Sequence, residues 1–164
     1  MFKMKVISAA IVLVCQACSN DSSNVRPEIV TGVMENVSIL TEYNKVELPK
    51  TVSLSPTNFN KMYHYCTGLE SNADPVFFCN KSDAMGIYLN SYNFSKTVSD
   101  SEAYYAMSFL VHSMVRYMQL VHKVKFNCQI GPELEAYTIQ NKWLQAVGLS
   151  DRQFDVRALA ADYF

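Results

Sequence analysis

Ser99-Asp100-Ser101-Glu102-Ala103-Tyr104-Tyr105-Ala106-Met107-Ser108-Phe109-Leu110-Val111-His112-Ser113-Met114-Val115-Arg116-Tyr117-Met118-Gln119-Leu120-Val121-His122 is the stretch around which the rest of the chain must pack. Ser99 and Glu102 are spaced as a capping box, which opens a helix predicted over about Ser101 to His122. Tyr104, Met107, Leu110, Val111, Met114, Val115, Met118 and Val121 cover well over half of its circumference. A helix that is apolar on most sides belongs in the middle of a core.

Shorter elements are expected on either side. Upstream, Pro27 suits the first turn of a helix to about Thr41, with Ile29, Val30, Val33, Val37 and Leu40 at helical spacing. Thr51 to Ser55 alternates as a strand, and Ser55-Pro56 starts a short helix carrying Phe59, Met62 and Tyr63. Pro75–Cys79 and Met85–Asn90 flank the turn-rich Asn80-Lys81-Ser82-Asp83, which predicts a β-hairpin. Downstream, a helix is expected from Pro132 to Gly148, its apolar face made by Tyr137, Leu144 and Val147 with Ile139 and Trp143 flanking. Ser150 and Gln153 form a second capping-box pattern and predict a short C-terminal helix. The order describes one small α+β domain over 27–164, with a long buried central helix, a small sheet in the first half and helices after it.

The chain has 164 residues, a net charge of −1, 18% charged and 12% aromatic residues. That composition excludes a disordered, highly charged regulator, and the length fits one domain. Without a cluster of Lys and Arg, nucleic acid is excluded as a partner. Residues 1–17 read as a signal peptide: Lys3 and Lys5, then an apolar run from Val6 to Val14, too short for the about 20 residues of a membrane-spanning helix. Two processing outcomes compete, a cut after Ala17 by ordinary signal peptidase or lipidation of Cys18. Gln16-Ala17-Cys18 resembles the end of a bacterial lipoprotein signal, although Cys15 stands where Leu is usual, and 18–26 would be a polar tether. Loss of Lys3 and Lys5 leaves 12 basic against 15 acidic side chains, a net of −3. An exported, periplasmic or membrane-anchored protein is expected, with membrane contact through the lipid if Cys18 is acylated. The three remaining cysteines, Cys66, Cys79 and Cys128, allow one disulfide and a free thiol. Cys66 and Cys79 are the close pair, and closing so short a loop contributes on the order of 3 kcal/mol. Their spacings lack the Cys-x-x-Cys pairs of a zinc–thiolate site.

With three histidines, five glycines and no Gly-x-Ser-x-Gly or Gly-x-Gly-x-x-Gly, the chain offers neither a serine-hydrolase elbow nor a phosphate cradle. Glu133 and Glu135 read first as acids complementing a helix dipole. A more specific pattern joins Leu110-Val111-His112-Ser113-Met114-Val115-Arg116-Tyr117-Met118-Gln119 and Phe126-Asn127-Cys128 to Glu133-Leu134-Glu135-Ala136-Tyr137-Thr138-Ile139-Gln140-Asn141-Lys142-Trp143-Leu144. It resembles a family of short, uncharacterised bacterial zincin-like proteins. Their core helix carries Leu-Val-His-Glu-x-Val-His-His-x-Gln, followed by a Cys and Glu-x-x-Ala-Tyr-x-x-Gln-x-x-Trp-Leu. From Cys128 to Leu144 the match needs no gap, and the resemblance covers roughly Pro27 to Gly148.

The resemblance implies a zinc site that this chain does not preserve. In a zincin two histidines one helical turn apart grip the metal while a Glu between them activates water. Carried over, the first histidine is His112, the general base is Ser113, the second histidine is Arg116 and the third ligand is Glu133. A hydroxymethyl group cannot take a proton from water as a carboxylate does, and a guanidinium has no lone pair for zinc. His122 lies ten residues after His112, about 280° further round the helix, so it faces elsewhere. His64 lies on a separate element and reads as a surface or satisfied residue. Two readings of Arg116 remain: a buried pair with Glu133 in place of the metal, or a side chain snorkelling to solvent.

Three functions follow as expectations. The first is an exported pseudo-enzyme without cofactor that binds a protein or peptide partner in the cell envelope. An extended peptide would pair along Met85–Asn90, near Tyr88, Tyr92 and Phe94. The second is a residual metal-dependent hydrolase with a rebuilt site using His112, Glu133 and Tyr117 or Tyr137, the only case in which zinc is expected. The third is an accessory lipoprotein that scaffolds a partner.

Overall fold

The computed structural model describes residues 27–70, 74–94 and 98–161; the signal segment, the tether and Cys18 lie outside them. The chain folds as α1 (Pro27–Thr41), β1 (Thr51–Leu54), α2 (Pro56–Thr67), β2 (Val76–Cys79), β3 (Gly86–Asn90), α3 (Asp100–Val121), α4 (Gly131–Ala146) and α5 (Val156–Ala161), with 3-10 turns at Ser91–Phe94 and Ser150–Arg152. It is an α+β fold whose strands fall in the first half.

The centre is α3, as its apolar circumference predicts. Leu110, Val111, Met114, Val115 and Met118 are wholly buried, each large side chain contributing about 1.5–3 kcal/mol. Ser99 caps the helix by accepting from the Glu102 amide at 3.3 Å. The other half of the capping box is not made: the Glu102 carboxylate accepts from Arg152 at 2.6 Å instead. Val30, Val33 and Val37 of α1, together with Ala136, Ile139 and Trp143 of α4, join the same core.

The sheet has the order β1-β3-β2, with β1 parallel and β2 antiparallel to β3. Alternation along the strands divides two layers. Val76, Ile87 and Leu89 join the core around α3, while Phe77, Cys79 and Tyr88 turn to the opposite face and pack with Phe59 of α2. The sheet thus lies between α2 and the remaining helices.

Three expectations are corrected. First, β3 is the central strand, paired on both sides, so no edge is left along Met85–Asn90 to receive a peptide. The approach of β1 is what fills it: Ile87 donates to Lys50 O at 2.8 Å, and a Cβ on Gly86 would lie 2.7 Å from that oxygen. Tyr88 is buried, Phe94 packs against the core, and Tyr92 is 62% exposed. Second, the buried face of α4 is Ala136, Ile139, Gln140, Trp143 and Leu144, so Ile139 and Trp143 are central and Tyr137 and Val147 peripheral. Third, the Ser150/Gln153 box does not form. Gln153 donates to Asn141 O at 2.9 Å, and α5 is opened instead by Asp155, whose Oδ1 accepts from the amides of Arg157 and Ala158.

Candidate functional site: a cleft closed by a guanidinium–carboxylate pair

His112 and Arg116 stand one turn apart on α3, on the flank facing the first turn of α4. That turn carries Glu133, and its carboxylate is held by both. Its Oε2 lies 3.0 Å from His112 Nε2 and its Oε1 2.8 Å from Arg116 Nε. The structure therefore brings His112, Arg116 and Glu133 together. Arg116 and Glu133 are 29% and 41% exposed at the side chain, so the pair is partly wet. Of the two sequence readings, the pair with Glu133 is formed, but half-buried rather than buried.

The three residues belong to a longer network. His112 Nδ1 lies 3.2 Å from Gln140 Oε1. Gln140 in turn donates to Ser108 Oγ at 2.9 Å, and Ser108 donates to Tyr105 O at 2.7 Å. On the other side, Arg116 Nη1 donates to Gln119 Oε1 at 2.6 Å. Gln119 Nε2 donates to Glu135 Oε2 and to Pro132 O, and Tyr43 donates to the same Glu135 oxygen at 2.6 Å. Buried amides are costly unless satisfied, so Gln119 and Gln140 fix the rotamers of Arg116 and His112 rather than merely filling space.

Charges in this corner act on one another. Burial alone would raise the Glu133 carboxyl, but the His112 hydrogen bond and the charges of His112 and Arg116 outweigh it and hold the group below its ordinary value. Asp74, across the cleft, is shifted the other way: burial raises it, and the positive field of His112 offsets only part of that. Burial also pushes the Tyr43 phenol up, reinforced by its hydrogen bond to Glu135.

His112, Arg116 and Glu133 form one wall of a cleft of about 280 Å³. Val76, Phe77, Phe78, Cys79 and Asn80, five consecutive residues of β2 and its exit, also line it. Successive residues of a strand point to opposite faces, so a lining that includes all five marks the outer edge of β2, not one face. Among the described residues no strand pairs with the outer side of β2, and the cleft lies there, with Tyr63, Cys66 and Thr67 of α2 in its lining.

The remaining candidates fall as follows. Ser113 is buried at the cleft, 2% exposed. Tyr137 lines the cleft with its ring edge-on to His112 at 4.5 Å. Tyr117 points away, donating to Glu47 O at 2.9 Å, so it is not available to a rebuilt site. His122 contacts Asn44 O at 2.8 Å and stacks on Tyr43, and His64 lies against Leu69 O at the end of α2. Cys66 and Cys79 are joined by a disulfide, Cα–Cα 5.6 Å, leaving Cys128 as an exposed free thiol among the described residues. The sequence reading quoted Gln119 and Gln140 in the motif without giving them a role, took Glu135 only as a dipole complement, and missed Tyr43 and Asp74. Gln140 carried a usable signal: it lies seven residues after Glu133, two turns along one face of α4.

Zinc, which the resemblance implies, does not fit these residues. His112 Nε2 lies against the Glu133 carboxylate and Nδ1 against Gln140 Oε1, and the neighbour of Glu133 where a second histidine would bind is a guanidinium, which has no lone pair for a metal. Among the described residues no group of three or more His, Cys, Asp or Glu is arranged to hold a metal ion. Nor is any described helix long and apolar enough to cross a membrane. Comparison of the chain with protein-family models, curated proteins and solved structures returns no match.

Proposed function

We propose that the protein is an exported, zincin-like pseudo-enzyme that works without a metal or other cofactor, binding a peptide or protein partner in the cell envelope. The observation that carries this reading is the Arg116–Glu133 contact of 2.8 Å in the cleft wall. It puts a fixed cation beside the carboxylate that a metal would need. The general-base position itself is lost: Ser113 is a hydroxyl, and the Glu133 carboxylate is engaged on both oxygens.

Binding is supported by the shape of the cleft. An open strand edge supplies backbone donors and acceptors to an extended chain, and side-chain pockets supply selectivity. The partner would add to β2 between α2 and α3, not along β3. Export and anchoring through Cys18 rest on the N-terminal sequence alone and place the partner at the envelope.

Selection of phage-displayed unstructured decapeptides against the purified chain tests this. Retained peptides, added to labelled protein, are expected to shift the amide resonances of residues 76–80 and to leave α5 unmoved. Retained peptides that perturb a distant surface and spare residues 76–80 would overturn the reading.

A further inference from the structure

The outer wall of the cleft is attached more weakly than the inner one. The inner wall is α3, the centre of the core. The outer wall is α2, a helix of 12 residues in which Phe59 is the one fully buried side chain; isolated helices of that length are marginal in water. Phe59 and Tyr63 meet the Phe77 ring edge-on at 5.1 and 5.3 Å, and Met62 and Cys66 are half-buried beside them. Beyond this patch, Tyr65 donates to Asp83, and Lys81 donates to Tyr65 O while lying over its ring at 4.2 Å. All three are exposed residues, so solvent and salt weaken those contacts.

One covalent bond spans the wall and the floor. Cys66, in the last turn of α2, is joined to Cys79, the last residue of β2, and both line the cleft. We propose that this disulfide seats α2 as the outer wall, so that the cleft along β2 is complete only in oxidised protein. The use made of the finished cleft rests on the binding reading; the closure itself does not. In exchange with a dithiol reductant, the Cys66–Cys79 S–S bond breaks and each sulfur takes a proton. The two reductant thiols meanwhile lose theirs and become the reductant's disulfide. Oxidation by a disulfide donor runs the same step in reverse, so the cleft would be assembled in an oxidising compartment.

Hydrogen exchange read by mass spectrometry on the full chain tests this with no ligand present. Dithiothreitol, and separately Cys66→Ser with Cys79→Ser, are expected to speed exchange at least tenfold in peptides covering α2 and residues 76–80. Peptides of α3 and α4 should keep their protection, and Cys128→Ser should change nothing. Unchanged α2 exchange would overturn the proposal. So would equal acceleration through every element, including outright unfolding, because the bond would then be a general staple of the fold. A wall that loosens in a chain that selects no peptides would leave this inference standing and remove the binding reading.

Discussion

Arg116 is the residue at which chemistry and architecture meet. Its Nε and Nη1 are committed to Glu133 and Gln119, one on each neighbouring side of the α3–α4 contact. Removing one partner of a fully buried pair costs about 3–5 kcal/mol, whereas exposed pairs contribute about 0–1 kcal/mol. With Arg116 and Glu133 partly exposed, Arg116→Ala is expected to cost about 1–2 kcal/mol in urea denaturation. Arg116→Ala with Glu133→Ala should cost less than the two single changes added, by at least about 0.5 kcal/mol. Strict additivity would mean that the two groups do not act on each other. Glu133 also gives a pH signature. Its folded-state value lies below the ordinary 4.5, so its contribution is fully present above about 4.5 and is lost as the pH falls through the depressed value. Glu133→Gln should therefore flatten the acid limb of the stability–pH curve. Asp74 acts with the opposite sign: its raised value favours the folded state as the pH falls. Asp74→Asn should accordingly stabilise the protein at neutral pH in the same titration.

Among the elements, the chain entering β1 approaches β3 closely at Gly86, and glycine substitutions measure it. Gly86→Ala would put a Cβ 2.7 Å from Lys50 O and should cost about 1–3 kcal/mol by overpacking. Gly32→Ala, in α1 with no atom within 4 Å of the added carbon, should stabilise by about 0.5–1 kcal/mol. Thermal denaturation of both variants checks the contrast. These two glycines also show what is legible in the sequence. Helices α1, α3 and α4 announce themselves through apolar spacing and through Pro27, Pro132 and Gly148, because a helix is specified by residues a few positions apart. The β2–β3 hairpin is similarly local. The parallel pairing of β1 with β3 joins residues 36 positions apart, Thr51 with Ile87, and no local pattern encodes it. That is why the open edge is expected on β3 from the sequence and found on β2.

For the whole molecule, the candidate site is legible where two helices supply it and not where tertiary packing does. His112, Arg116 and Glu133 are picked out by the resemblance of the α3 and early α4 segments to the zincin-like pattern. Asp74 and Tyr43 reach the region only because the sheet and the loop after α1 fold back on α3, which periodicity does not report. The resulting layers put an open strand edge beside a fixed guanidinium, with a disulfide across the outer wall. Binding along that edge is the use we propose for these parts. We propose that the guanidinium stands where a metal would otherwise be held. It is tested most directly by exposing the purified chain and its Arg116→His variant to zinc, desalting both and measuring bound metal by elemental mass spectrometry. No retained zinc is expected in the natural chain, and close to one zinc per chain in Arg116→His, held with His112 and Glu133. One tightly held zinc in the natural chain would contradict it.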